Sequence, residues 1–189
     1  MRPGETTTLT SVTLRNSNLN IVLTGFMGTG KSAVARELAQ LLGRAVVDID
    51  AEIERKAGKS ISAIFAESGE LHFRDIETET TRETARSKKQ IISTGGGVVL
   101  RKENVEALRD SGMVFCLFAT PEAILERTST NRDRPLLQTS DPLGRIRELL
   151  AARDPYYRGS CDYIIDTVGK TPKEVALEIL EKFCLAPGK

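Results

Sequence analysis

Residues 25–32 read Gly-Phe-Met-Gly-Thr-Gly-Lys-Ser and match the pattern G-x-x-x-x-G-K-S/T at every specified position. The apolar run Asn20–Thr24 before them predicts a strand, and apolar residues at helical spacing in Lys31–Leu42 predict a helix after them. Glycines let the backbone curl so that its N–H groups point inward, and the helix adds its positive end. This order of strand, loop and helix opens an α/β domain and predicts a phosphate-binding loop.

The loop predicts a nucleoside triphosphate with Mg²⁺ as its ligand. Lys31 would reach the β- and γ-phosphates, and the Ser32 hydroxyl would bind Mg²⁺. From these residues alone, ATP and GTP both remain open. No Asn-Lys pair exists for the guanine motif N-K-x-D, which argues against a GTPase. The residues of the loop and helix start predicted to bind the nucleotide are Gly28, Thr29, Gly30, Lys31, Ser32 and Ala33.

The strand and helix signals continue to alternate along the chain. Further strands are predicted at 45–48, 91–93, 113–118 and 162–165, and the helical segments between and after them are 51–57, 60–67, 71–86, 103–109, 121–127, 143–157 and 172–183. Five strands separated by helices predict a three-layer α/β/α fold around a five-stranded parallel sheet. Residues 1–18 are predicted to be a flexible leader, 19–189 a single domain, and about 128–140 a mobile lid.

Composition excludes several other classes of protein. The chain has 189 residues, with 27 Lys and Arg against 26 Asp and Glu, so bulk charge gives no reason to expect nucleic acid or a membrane surface as a partner. No apolar stretch approaches the roughly 18 residues of a membrane-spanning helix. Three scattered cysteines indicate a reducing compartment, so we expect a cytoplasmic protein. The lack of a long apolar surface stripe favours a monomer.

Motor and helicase cores usually need a longer chain, which leaves a small kinase that must also hold a phosphoryl acceptor. Five short motifs follow in order: Asp48–Asp50 at the end of the second strand, Phe73-Arg74, Gly95–Gly97, Arg134–Leu137 and Arg153–Tyr157. In this order after a phosphate loop, the sequence resembles the shikimate kinase family, within the nucleoside-monophosphate-kinase-like group. The resemblance covers about residues 21–183 and implies the P-loop kinase fold with a mobile lid. It implies transfer of the γ-phosphoryl group of ATP to the 3-hydroxyl of shikimate, giving shikimate 3-phosphate and ADP.

The resemblance assigns the two aspartates different roles. It implies that Asp50 hydrogen-bonds the acceptor hydroxyls and orients, or deprotonates, the attacking one. Asp48 would contact Mg²⁺ through water, and Ser93 would hydrogen-bond water on the metal. From the residues alone, either aspartate could instead cap the following helix.

The resemblance also implies an acid-binding pocket. Arg74 and Arg153 would grip the carboxylate of shikimate with their guanidinium groups, as lysine cannot. Glu77, three residues after Arg74 on the same helical face, would hold that guanidinium in place. The alternative is that either arginine lies on a solvated surface.

The remaining substrate contacts have plain structural alternatives. In the family, Gly95, Gly96 and Gly97 let backbone N–H groups approach the substrate, although a tight turn alone would explain them. Ile61, Phe65 and Phe73 resemble the apolar wall against which the substrate ring packs, although they could simply fill the core.

The arginine-rich stretch 127–158 completes the implied site. Closure of the lid would bring Arg134 onto the transferring phosphate, where a cation stabilises the spread charge. Arg127 resembles the adenine-stacking arginine of the family, and the segment ending at Pro172 the opposite side of the base pocket. The alternatives are a solvated charged face, a kinase for a sugar acid or nucleoside monophosphate, and a nucleotide-binding module without phosphoryl transfer.

Overall fold

The structure is a computed structural model that describes residues 18–129 and 139–186. Within them, all strands belong to one sheet with the order β2-β3-β1-β4-β5, and every neighbouring pair is parallel. The strands are β1 Asn20–Thr24, β2 Val46–Asp48, β3 Ile91–Ser93, β4 Gly112–Phe118 and β5 Tyr163–Asp166. The predicted five-stranded parallel sheet is thereby confirmed. Because the strands are parallel, all their carboxyl ends meet at one edge of the sheet.

Helices cover both faces of this sheet. They are α1 Lys31–Leu42, α2 Ile49–Ala57, α3 Ile61–Arg86, α4 Lys102–Ser111, α5 Pro121–Thr128, α6 Pro142–Ser160 and α7 Pro172–Leu185. On one face, buried residues of β1, β4 and β5 pack against α1 and α7. On the other face, a second apolar cluster joins the sheet to helices α2 to α6. These two cores make the predicted three-layer arrangement.

Helix α3 is bent at Gly69, where φ is 77° and ψ is 175°. The break in the helical pattern at this glycine was predicted, because a residue without Cβ adopts positive φ at little cost. The second part of α3 then carries Phe73, Arg74 and Glu77 along the edge of the site. A short 3₁₀ helix, Val98–Leu100, follows the glycine run and was not predicted.

Arg44 ties together the two ends of the described domain. Its Nη1 donates a hydrogen bond to the carbonyl oxygen of Leu19 over 2.8 Å, and its guanidinium lies 5.3 Å from the ring centre of Phe183. Arg44 follows α1 and precedes β2, so this contact lies at the amino edge of the sheet, opposite the strands' carboxyl ends.

Some predictions lie outside the described residues. These are the leader, except for its last residue, the central part of the lid at 130–138, and Arg134 within it. In the described ranges, no helix is long and apolar enough to cross a membrane.

Candidate active site

The glycine-rich loop after β1 has backbone conformations that would be strained for residues other than glycine. Gly25, Gly28 and Gly30 have φ of 129°, 77° and 95°. A β-carbon on Gly25 would also lie 2.3 Å from the carbonyl oxygen of Leu117. The loop is therefore a narrow curl seated against the carboxyl end of β4.

The start of α1 fits an anion. Its N-cap is Gly30, which makes no side-chain cap hydrogen bond to the backbone N–H groups there. Such uncapped N–H groups and the positive end of the helix favour a phosphate. Nζ of Lys31 folds back to donate to the carbonyl oxygens of Gly25 and Phe26 over 2.8 and 2.9 Å.

The other predicted loop residues surround this helix start. Thr29 is buried and donates to the Phe26 carbonyl over 2.8 Å, which braces the turn. Ser32 is exposed in the first turn of α1, and Ala33 beside it is half-buried.

Asp48 and Ser93 lie side by side at the carboxyl edge. They are register partners on β2 and β3, and Ser93 is buried. Asp48 is also the N-cap of α2, where Oδ1 accepts hydrogen bonds from the N–H groups of Asp50 and Ala51. The capping alternative therefore holds for Asp48. Both cap hydrogen bonds go to Oδ1, so Oδ2 is the carboxylate oxygen that the predicted contact with metal-bound water would use.

Asp50 lies in the first turn of α2 and not, as expected, at the end of β2. The cap at Asp48 turns the chain into a helix two residues earlier than the sequence suggested. Burial, followed by the charges of Asp48 and Glu77, raises the pKa of Asp50 to about 6, although Lys31 opposes this rise. A carboxylate with such a pKa is poised to accept a proton or a strong hydrogen bond near neutral pH.

Arg74 is held by two glutamates of its own helix. Nη1 donates to Oε2 of Glu77 over 2.7 Å, and Nη2 to Oε1 of Glu70 over 3.1 Å. Glu77 is 1% exposed. Burial raises its pKa, but the charge of Arg74 opposes that shift, and those of Arg101 and Arg153 do so as well. The predicted partnership of Arg74 and Glu77 is present, and the bond from Glu70 is an addition.

The glycine run after β3 faces both groups. A β-carbon on Gly95 would lie 2.4 Å from Oδ1 of Asp50, and one on Gly97 would lie 2.4 Å from Nη1 of Arg74. Neither glycine has a positive φ, so their small size rather than their backbone freedom is what the structure uses. A simple tight turn does not explain these two contacts.

Arg153 approaches the same place from α6. Its guanidinium lies 5.9 Å from the ring centre of Phe26 in the phosphate loop. Its charge also acts on Glu77, the buried partner of Arg74. The charges of two arginines 79 positions apart in the chain thus act on one buried carboxylate.

Tyr157, which we had given no role, also belongs to this site. It is 5% exposed, and its hydroxyl donates to the carbonyl oxygen of Gly96 over 2.6 Å. In the sequence, Tyr157 ends the motif Arg153–Tyr157, one helical turn after Arg153. That position does not say that Tyr157 rather than its neighbour Tyr156 faces inward.

The three residues of the predicted apolar wall lie partly in the core and partly at the surface. Phe73 is buried within the core, so core packing describes it, and Ile61 packs against the same cluster. Phe65 is 37% exposed, with its ring 4.6 Å from that of Phe73. Only Phe65 of the three therefore presents a substantial apolar surface to solvent.

Arg127 joins the phosphate loop to the segment after β5. It donates to the carbonyl and hydroxyl oxygens of Thr167 over 2.8 and 2.9 Å and reaches the carbonyl of Gly28 at 3.5 Å. Pro172 begins α7 a few residues later, behind the Thr171 cap. The predicted base-binding elements are adjacent in the structure.

The donor set suits Mg²⁺ shared with a nucleotide rather than a closed protein cage. Within residues 18–129 and 139–186, no cluster of three or more His, Cys, Asp or Glu side chains could hold a metal. Magnesium in kinases is usually held by one or two protein oxygens with phosphates and water. Ser32 and Asp48 supply oxygens of this type beside the loop.

A glycine-rich loop at the start of a helix, beside Asp50, Arg74 and Arg153 at the carboxyl edge of a parallel sheet, is the arrangement expected of a P-loop kinase for a small molecule. The family model of shikimate kinase matches residues 27–184. The chain belongs to the shikimate kinase family.

Individual relatives support this family assignment. A shikimate kinase from Thermodesulfovibrio yellowstonii is 49% identical over 164 residues, which cover 87% of this chain and 94% of that protein. The solved shikimate kinase from Acinetobacter baumannii in complex with shikimate has a TM-score of 0.84 and 40% identity, over 90% of this chain and 96% of that one. A gluconokinase from Sinorhizobium meliloti has a TM-score of 0.60 at 18% identity, over 89% and 93% of the two chains, and shares the fold alone.

Proposed function

We propose that this chain transfers the γ-phosphoryl group of ATP to the 3-hydroxyl of shikimate, giving shikimate 3-phosphate and ADP. The observation that carries the proposal is that a carboxylate and a guanidinium lie against the same short glycine run, two residues apart along it. Gly95 abuts the carboxylate of Asp50, and Gly97, two residues on, abuts the guanidinium of Arg74. A small cyclic acid offers a hydroxyl and a carboxylate at opposite ends of one ring, as this pair of groups requires.

Each side chain then has a definite task. Arg74 and Arg153 bind the carboxylate, while Gly95–Gly97 supply backbone polar groups and Phe65 packs against the ring. Asp50, when ionised, accepts the hydrogen bond of the attacking hydroxyl and directs its oxygen at the γ-phosphate. Positioning and charge stabilisation carry most of the catalysis in phosphoryl transfer.

The phosphate side uses the loop and α1. Lys31 leaves the carbonyls it contacts now and binds the β- and γ-phosphates, whose oxygens also face the N–H groups at the start of α1. Arg134, outside the described residues, adds a second cation. Ser32, Asp48 and Ser93 would hold Mg²⁺, directly or through water, and the metal would supply positive charge that neutralises the phosphates.

The remaining parts of the proposal concern the setting of the enzyme. We expect it to act as a monomer on a small molecule in the cytoplasm, without nucleic acid or membrane as a partner. Size-exclusion chromatography with light scattering tests the monomer directly.

An ADP-release assay tests the activity. With ATP and Mg²⁺, turnover should depend on shikimate and remain at background with gluconate or nucleoside monophosphates. Lys31→Ala should lower kcat at least about 100-fold, since it removes a cation from the transferring group. Lys102→Ala, whose side chain is 88% exposed, is the matched control and should keep full activity. Turnover on gluconate but not on shikimate would reject the proposal.

A further inference from the structure

Tyr157 makes a partly buried hydrogen bond that links distant parts of the acid pocket. It lies on α6, while its acceptor, the Gly96 carbonyl, lies in the run after β3, 61 positions away in the chain. The oxygen–oxygen distance of 2.6 Å is at the short end for a hydroxyl donor. A hydrogen bond of this kind restricts the position of the glycine run relative to α6.

The phenol also meets Arg153, one helical turn earlier. Burial raises the pKa of Tyr157 to about 12, whereas the charge of Arg153 and a hydrogen bond from it oppose the rise. The other groups acting on the phenol are Cys116, which raises its pKa, and Arg74, which lowers it. The hydroxyl therefore stays protonated near neutral pH and donates to Gly96, while Arg153 lies one helical turn before it on α6.

We propose that Tyr157 is a positioning residue that sets both halves of the acid clamp, the Gly95–Gly97 run and the Arg153 guanidinium, through one hydroxyl group. This inference rests on the proposed function, because the clamp is assigned to the carboxylate of shikimate. Tyr157 itself is not expected to touch the acid.

The hydroxyl rather than the ring carries this role. Phenylalanine would keep the ring packing of α6 but leave the Gly96 carbonyl without its buried donor. Arg153 would lose an acceptor that restricts its rotamers. Both losses act on acid binding, whereas the Arg127–Thr167 contact does not involve this hydroxyl.

The test compares Tyr157→Phe with Tyr156→Phe, a neighbouring tyrosine that is 50% exposed. For Tyr157→Phe, we expect KM and Kd for shikimate to rise about ten-fold, with KM for ATP changed less than two-fold. Tyr156→Phe should leave all three constants unchanged. Binding is measured at a temperature where melting curves show every variant fully folded.

A double-mutant cycle with Arg153→Lys identifies the route. If Tyr157 acts through Arg153, the double variant should lose less affinity than the two single losses combined. An unchanged shikimate constant in Tyr157→Phe, or equal rises for shikimate and ATP, would overturn the inference. If the unaltered enzyme itself neither binds nor phosphorylates shikimate, it is the proposed function that fails.

Discussion

A β-carbon on Gly97 would stand 2.4 Å from Nη1 of Arg74, so a single hydrogen atom on this glycine leaves room for the guanidinium. The φ of Gly97 is −103°, which any residue can adopt. Size rather than backbone freedom therefore explains glycine at this position, and a larger residue would displace a guanidinium that Glu70 and Glu77 otherwise hold.

Two alanine substitutions in the same run should thus have different kinetic effects. Gly97→Ala should raise KM for shikimate about ten-fold by displacing Arg74, with kcat nearly unchanged. Gly95→Ala should lower kcat at least about ten-fold, because the new methyl group displaces Asp50. Steady-state kinetics with each substrate varied in turn distinguishes the two.

Gly159→Ala on α6 is the control for these variants, since a β-carbon there would meet nothing within 4 Å. It should leave the kinetics unchanged and raise the free energy of unfolding by up to about 1 kcal/mol. Identical kinetic effects of the Gly95 and Gly97 variants would contradict the separate roles.

Arg74→Lys should weaken acid binding specifically. A lysine keeps the charge but cannot bond Glu77, Glu70 and a carboxylate in one plane, so KM for shikimate should rise about 10- to 100-fold. KM for ATP should stay within two-fold. Arg82→Lys, on the exposed face of the same helix, is the matched control. If Arg74→Lys instead weakened ATP and spared the acid, the pocket would be wrongly assigned.

Asp50 should produce an acid limb in the pH profile. Because its pKa is raised to about 6, kcat/KM for shikimate should fall below that pH as the carboxylate takes up a proton. Asp50→Asn should lower kcat at least about 100-fold and abolish the limb. A limb that persists unchanged in the residual activity of Asp50→Asn would assign the titration to another group.

The carboxylate of Asp50 should also lower the free energy of unfolding at neutral pH. Its pKa is about 6 in the folded chain against 3.8 ordinarily, so the folded state binds more protons between these values and its stability falls as the pH rises through them. Asp50→Asn should therefore be more stable than the unaltered enzyme above pH 6, by up to about 3 kcal/mol. Urea unfolding at pH 8 and pH 4.5 measures this difference, which should shrink at the lower pH.

Arg127→Ala should act on the nucleotide alone. The substitution removes the link between Gly28 and Thr167, so KM for ATP should rise about ten-fold while KM for shikimate stays unchanged. Arg147→Ala, whose ion pair with Glu122 is exposed on both sides, is the control for loss of an arginine nearby. A rise in KM for shikimate equal to that for ATP would refute a role restricted to the base.

The sequence predicted the elements of the fold well because their signals are local. Apolar runs marked all five strands, and Gly69 marked the bend in α3. The motif at 25–32 predicted the loop, since each specified position meets a local requirement of backbone conformation, charge or metal binding. The bond between Arg74 and Glu77 also follows from spacing on one helix.

Contacts between elements could not be read in this way. The hydroxyl of Tyr157 meets Gly96 only because α6 crosses the glycine run, and no local pattern records that crossing. The raised pKa of Asp50 likewise depends on burial and on Glu77 from another helix. The start of α2 at Ile49 shows a further limit, since Asp48 caps the helix while still pairing in β2.

The contact of Arg44 with both Leu19 and Phe183 has a practical consequence for rearranging the gene. The two ends of the folded domain are neighbours on the side of the sheet away from catalysis, so a short peptide could join them without passing over the crevice. A circular permutant reopened at the exposed Lys88–Lys89 connection should therefore fold around the same set of strands, with its new ends away from the crevice.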